Sequence, residues 1–385
     1  MPQQHSIFCI TPPHMLREIV LNGSPKQQEL ALRSITISEQ FRGQRVAMTK
    51  EILAIMKPVA AEAKQRIVYD AKNGSQLPGT PVRNEGDSAT GDAAVDEAYD
   101  GSGVTFDLYH DVYGRNSIDN NGMRLDSTVH YQKGYDNAFW NGQQMVYGDG
   151  DEDLPESQRL FNRFTSALDV IGHELTHGVT QFEAGLVYWE QPGALNESMS
   201  DVFGSLVKQY QRQETASDAN WIIGEGLFTS NVNGVGIRSM KAPGTAYDDP
   251  VLGKDPQPGH MDDYVKTVED NGGVHINSGI PNLAFYVTAV EIGGYAWEKA
   301  GRIWYIALRD RLTSTSNFSA AAKITYDVAG ELYGAGSAEQ QAVAKGWNTV
   351  GLSVTGEGGG GLPGGCMAAP FVVLSSYLFG NHVQV

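Results

Sequence analysis

The sequence predicts an α+β protein, with a β-rich stretch followed by a mainly helical one and a separate N-terminal segment ahead of both. Three observations carry this. Residues 66–147 contain short alternating runs, such as Arg66-Ile67-Val68-Tyr69 and Gly103-Val104-Thr105-Phe106-Asp107-Leu108-Tyr109, broken by Asn-Gly and Pro-Gly turns. Beyond Leu160 apolar residues recur at helical spacing. With 41% hydrophobic residues in a chain of 385, there is enough apolar material to bury real cores, which excludes a disordered polymer.

The elements follow in order. Residues 1–60 form the first unit, where Pro12-Pro13 precedes two glycine-poor stretches of helical character, residues 25–45 and 48–64. Residues 61–165 make the β-rich unit and residues 166–352 the helical one. Helices are expected over residues 166–182, 196–213, 281–299, 303–312 and 319–333. Residues 353–385 contain Gly358-Gly359-Gly360-Gly361, read as a linker, and an apolar tail too short to span a bilayer.

Charge narrows the function. The 28 basic and 45 acidic residues give a net charge of −17, which argues against nucleic-acid partners, because a phosphate backbone is bound by neutralising it. The two cysteines, Cys9 and Cys366, supply no disulfide framework. The first ten residues lack the basic and apolar regions of a secretory signal, and no apolar run reaches the length of a membrane span. A monomer is the default expectation.

The residues that carry chemistry begin with His173-Glu174-Leu175-Thr176-His177, inside a proline-free amphipathic stretch. On a helix, residues four apart share a face, so both imidazoles can meet one cation with Glu174 beside its open position. A catalytic zinc usually takes three protein ligands. Glu197, in Asn196-Glu197-Ser198-Met199-Ser200-Asp201 on a second expected helix introduced by Gly193, is the natural third. Asp201, one turn on, can accept the remaining ring N–H of His173 and so fix its tautomer.

His173-Glu174-x-x-His177 followed by Asn196-Glu197-x-x-Ser200-Asp201 resembles the thermolysin-like zinc metallopeptidases. The resemblance runs from about Arg66 to Gly351 and implies a β-rich lobe, a helical lobe and an active-site cleft between them. It also implies roles for single residues. In Asp270-Asn271-Gly272-Gly273-Val274-His275, His275 would stabilise the tetrahedral intermediate and Asp270 would orient it, while Tyr188 would serve the same oxyanion. Asn137 and Ala138 would belong to the edge element that holds the peptide backbone, Arg238 would bind a substrate carbonyl, and Val170 and Ile237 would line the pocket. The implied activity is an endopeptidase cutting before large apolar residues with one zinc ion. Pro12-Pro13-His14-Met15-Leu16 in so short a leader resembles the protealysin-like branch, which implies that Pro12, Pro13 and Leu16 occupy the cleft and keep the enzyme latent. Two prolines also pre-set an extended backbone. The family resemblance favours export.

Departures from the pattern shape further expectations. Asp169 and Glu225 match two carboxylates of the calcium cluster found in many relatives, but Lys208 and Asn220 stand where others are expected. A fixed ammonium repels Ca²⁺, so this cluster is expected to be absent. The acidic run Asp149-Gly150-Asp151-Glu152-Asp153 reads as a solvated loop. Cys9 is expected to pack as a small apolar residue, with a thiolate plug on zinc as the alternative. Two rival functions stay open: a non-catalytic zinc protein whose bound leader makes it an interaction module, and a zinc hydrolase acting on non-peptide esters or amides.

Overall fold

The computed structural model describes residues 8–52 and 63–354. In chain order the leader supplies β1 (Phe8–Cys9), α1 (Pro13–Asn22) and α2 (Pro25–Ile52). The β-rich part contains β2 (Arg66–Asp70), β3 (Thr80–Asn84), α3 (Ala93–Asp107), β4 (Leu125–Val129), β5 (Ala138–Trp140) and β6 (Met145–Tyr147). The helical part begins with α4 (Leu168–Phe182) and α5 (Glu190–Arg212). Four two-residue strands follow: β7 (Ile222–Ile223), β8 (Arg238–Ser239), β9 (Asp248–Asp249) and β10 (Gly253–Lys254). The chain then runs through α6 (Asp270–Asn277), α7 (Gly279–Ile292), α8 (Ala300–Ile306), α9 (Phe318–Tyr333) and α10 (Ala338–Thr349).

Six strands make one mixed sheet in the order β1-β5-β6-β4-β2-β3. Its outermost strand on one side comes from the leader: Phe8 pairs with Trp140 and Cys9 with Phe139, antiparallel. The α+β class is as expected, but several elements differ. The alternating run 103–109 is helical, not extended. Asp92 caps α3 by accepting from the Ala94 and Val95 amides, and the helix buries Ala98, Tyr99, Thr105 and Phe106. Capping and burial on one face thus override the β preference of Val104 and Thr105. The two helical stretches of the leader are one helix as far as Ile52, and Lys64 lies outside any helix. Pro13 opens α1 instead of extending the chain, because its missing N–H costs nothing at a helix start. The α7 helix stops at Ile292 before Gly293-Gly294, α5 starts at Glu190, and α10 was not anticipated. The tail, residues 355–385, lies outside the described residues.

One contact between helices sets the site. At the crossing of α4 and α5, a side chain at Gly204 would meet the Asp169 carbonyl oxygen at 2.4 Å and the His173 amide nitrogen at 3.0 Å. Glycine there lets the two backbones touch, which brings the histidines of α4 against the carboxylates of α5. Residues 193–209 of α5 are all buried, so this helix runs through the core. The acidic loop is only partly solvated. Asp151 is buried and accepts from the Leu160 and Phe161 amides at 2.7 and 3.1 Å, and Asp149 pairs with His130 at 2.8 Å. Those amides reward a buried carboxylate, which a count of acidic residues does not reveal.

Candidate metal centre and substrate cleft

His173 and His177 lie one turn apart on α4, and Glu197 faces them from α5, all three fully buried. Their ligand atoms all lie within 4.8 Å of one another. The two Nε2 atoms are 3.0 Å apart, and Glu197 carboxylate oxygens stand 3.6 Å from His173 Nε2 and 3.4 Å from His177 Nε2.

The opposite ring nitrogens are already engaged. His173 Nδ1 lies 2.8 Å from Asp201 Oδ1, and His177 Nδ1 lies 2.8 Å from Asn196 Oδ1 and 2.9 Å from Ser200 Oγ. With Nδ1–H given to these oxygens, each Nε2 presents a lone pair inward. Two lone pairs and a carboxylate converging in a buried space repel one another unless a cation stands among them, and Glu197 Oε2 has no hydrogen-bond partner. The donor set therefore fits zinc.

Asp201 anchors a second layer. It accepts two bonds from Arg238, at 2.8 Å from Nε and 2.7 Å from Nη2, and one from Asn282 at 2.8 Å. Burial works to raise its pKa, but the Arg238 charge and the His173 contact outweigh this and hold the carboxyl well below the usual range. Glu174, buried beside His173, accepts from the Trp140 amide of β5 at 3.0 Å.

On the other wall, Tyr188 donates to Glu197 Oε1 and its hydroxyl lies 3.1 Å from His275 Nε2. His275 Nδ1 sits 2.6 Å from Asp270 Oδ1, and Asp270 Oδ2 accepts the His275 amide at 2.9 Å. Residues 270–273 all have φ between 49° and 82°, so the backbone turns back and aims the carboxylate at the ring five residues on. Two of the four are glycines, for which this region carries no Cβ penalty. Burial disfavours charge on His275, yet Asp270 and Glu197 outweigh it and raise its pKa.

The leader backbone runs along the same wall. Asn137 Oδ1 accepts the Thr11 amide at 3.0 Å, the Ala138 carbonyl accepts that of Ile10 at 3.3 Å, and Arg238 Nη1 donates to the Ile10 carbonyl at 3.3 Å. His275 Nε2 lies 3.1 Å from the Cys9 carbonyl. The Cys9 thiol points elsewhere, bonding Ser38 Oγ at 3.6 Å in a small cluster with Ile37, Tyr131, Tyr135, Phe139 and Val146. This is the apolar packing expected of it. Pro12 precedes α1, Leu16 is buried on that helix, and Val170 and Ile237 are buried in the same large cluster as Ile10.

His173, Glu174 and His177 of α4, Glu197 and Asp201 of α5, and Asp270 and His275 of α6 thus converge on one buried locus, and Val170 is also buried on α4. Sequence reasoning missed the Cys9, Ile10 and Thr11 backbone, because main-chain contacts have no side-chain signature. It also missed Asn282, which stands 81 residues from the carboxylate it serves. Asn196 and Ser200 were within the quoted motif; their spacing of four residues, which puts both on one helix face, was the available signal.

A mixed sheet joined to a helical lobe, with two histidines of one helix and a carboxylate of the next, defines a metallopeptidase. Residues 53–181 match the thermolysin metallopeptidase catalytic domain and residues 184–352 its alpha-helical domain. The chain belongs to the thermolysin family of metallopeptidases and is a metalloendopeptidase. It is 48% identical over 358 residues to the extracellular metalloprotease of Pectobacterium carotovorum subsp. carotovorum, covering 91% of this chain and 98% of that one. Protease PrtS of a Photorhabdus species is 47% identical over 359 residues, covering 92% and 95%. Among solved structures, the precursor of protealysin, a metalloproteinase from Serratia proteamaculans, superposes with a TM-score of 0.80 at 52% identity, covering 90% of this chain and all of that one.

Proposed function

We propose that the chain is the latent precursor of a zinc endopeptidase, with residues 1–60 as inhibitory leader, residues 61–165 and 166–352 as the catalytic lobes, and residues 353–385 as linker and tail. The observation that carries this is the leader backbone lying on His275 and Arg238 beside the His173, His177 and Glu197 set. An interaction module would need the metal ligands but none of the groups that face a reacting carbonyl. The backbone contacts from Asn137, Ala138 and Arg238 favour a peptide over an ester or amide metabolite.

Zinc bound by His173, His177 and Glu197 would supply Lewis acidity and lower the pKa of a water. Asp201 and Asn196 hold the imidazoles in the ligating tautomer. Glu174, steadied by the Trp140 amide, takes a proton from the attacking water and hands it to the leaving nitrogen. His275, oriented by Asp270, which also favours its charged form, and the Tyr188 hydroxyl donate to the developing oxyanion. Arg238 is fixed by Asp201 through Nε and Nη2, which leaves Nη1 for a substrate carbonyl. Val170 and Ile237 supply an apolar pocket, and cleavage falls on the amino side of large hydrophobic residues.

The Lys208 ammonium lies 2.6 Å from Asp169, 3.6 Å from Glu225 and 3.4 Å from the Asn220 side-chain oxygen. It neutralises those acids in place of calcium. Relatives named as extracellular support secretion, and among the described residues no helix is long and apolar enough to cross a membrane. The protein acts on protein or peptide substrates as a monomer.

The test is hydrolysis of casein and of a quenched peptide with Phe or Leu after the scissile bond, before and after leader removal. Activity should emerge on removal and vanish with a chelator or in Glu174→Ala. A released chain that binds one zinc yet cleaves neither substrate would sink the reading and bring the interaction module forward.

A further inference from the structure

We infer that the leader is threaded through the cleft in the direction of a substrate, and that the enzyme's own bond Cys9–Ile10 is a cleavage site. The inference rests on the peptidase reading above. What carries it is that the groups on both sides of this one bond are held. On the acyl side, the Cys9 carbonyl lies 3.1 Å from His275 Nε2, which is itself 3.1 Å from the Tyr188 hydroxyl and 3.6 Å from Glu197 Oε2. On the amine side, the Ile10 N–H is given to the Ala138 carbonyl at 3.3 Å and the Ile10 carbonyl accepts from Arg238 at 3.3 Å. Cys9 is thus the described leader residue whose carbonyl meets His275, one of the two proposed oxyanion donors.

The side chains agree with this register. Ile10 is fully buried, so the residue after the bond is of the large apolar type that the proposed specificity calls for. In the cut, water adds across the amide: its oxygen joins the Cys9 carbonyl carbon, the C–N bond breaks, and Ile10 nitrogen gains a proton. The products are a carboxylate on Cys9 and an ammonium on Ile10. The amine-side fragment stays docked after the cut, because Arg17 pairs with Glu269 at 2.5 Å, His14 bonds Tyr247 at 3.1 Å, and Gln27 bonds the Gln158 carbonyl at 2.8 Å. Cleavage at this bond therefore leaves the enzyme inhibited by its own clamped product.

The experiment incubates the full chain with zinc and follows it by intact mass and N-terminal sequencing. The expected result is a new N-terminus at Ile10 whose first-order rate does not change on tenfold dilution. It should be absent in Glu174→Ala and slowed at least tenfold in Ile10→Asp. A readout independent of turnover uses the metal-free chain: the Ile10 and Thr11 amides should be protected from hydrogen exchange, and rapid exchange there means the register is wrong. If the chain, freed of its leader by limited trypsinolysis, hydrolyses casein while Cys9–Ile10 stays intact in the untreated chain, the self-cleavage fails and the peptidase reading stands. If neither substrate nor leader is cut, both fail.

Discussion

Asp201 accepts from His173, Arg238 and Asn282 at once, and all four side chains are buried. Replacing it with Asn keeps the shape and removes the charge, which leaves the Arg238 guanidinium buried without its counter-ion. Asp201→Asn should lower stability by roughly 3–5 kcal/mol, read by urea unfolding, and weaken zinc about 10- to 100-fold, read by chelator competition. Because its folded pKa is depressed, the stability it contributes is present above the ordinary carboxylate range and is lost as pH falls through that depressed value. Glu174→Gln separates chemistry from binding: kcat should drop about 10²- to 10⁴-fold while one zinc per chain is retained by metal analysis. At this scale the sequence was most informative. His173, Glu174, His177, Glu197 and Asp201 sit at helical spacings that physics alone can interpret. The partners missed, Asn282 and the leader carbonyls, have no local spacing to betray them.

Helices α4 and α5 hold the site only because their backbones meet at Gly204. Gly204→Ala must separate Asp169 from Gly204 or tilt α4, and an overpacked contact of this kind costs about 1–3 kcal/mol. A lower melting temperature together with weaker zinc binding would fit; unchanged zinc affinity would mean that the crossing does not control the ligand geometry. Lys208, one turn after Gly204 on α5, clamps the same pair of helices through the Asp169 side chain. Lys208→Met should lower the melting temperature, since Asp169 would keep a buried charge with no cation, and added calcium should leave the wild-type melting curve unmoved. The α4 helix was legible because its apolar stripe has the helical period. The α3 helix was not, because Val104-Thr105-Phe106 reads as strand in isolation and helix only once the sheet packs against it.

For the whole molecule, the described leader residues and the β-rich lobe share one sheet, and the docking of the leader responds to acid. His14 faces Asp270, His275, Arg238 and Arg17 as well as its partner Tyr247, and burial, opposed by the Asp270 carboxylate and aided by His275, Arg238 and Arg17, lowers its pKa to about 4. With the docked value below the free one, docking is unaffected above pH ~6.5 and weakens as pH falls from there toward 4, by at most about tenfold per unit for one proton. Leader release measured between pH 7 and 4 should accelerate, and His14→Gln should flatten that profile; an unchanged slope would remove His14 as its source. The division into leader, β-rich and helical parts was readable from composition and period. The leader's place as a strand was not, since Phe8-Cys9 is too short to carry any periodicity and gains its partner only from Phe139 and Trp140. That strand has one more consequence. While β1 is in place, the β5 edge is paired; once it leaves, the Ala138 carbonyl loses the Ile10 amide and the edge is open to other chains, although the Trp140 amide stays on Glu174. The released enzyme should show the greater tendency to associate, and a bound peptide that refills the edge should suppress it.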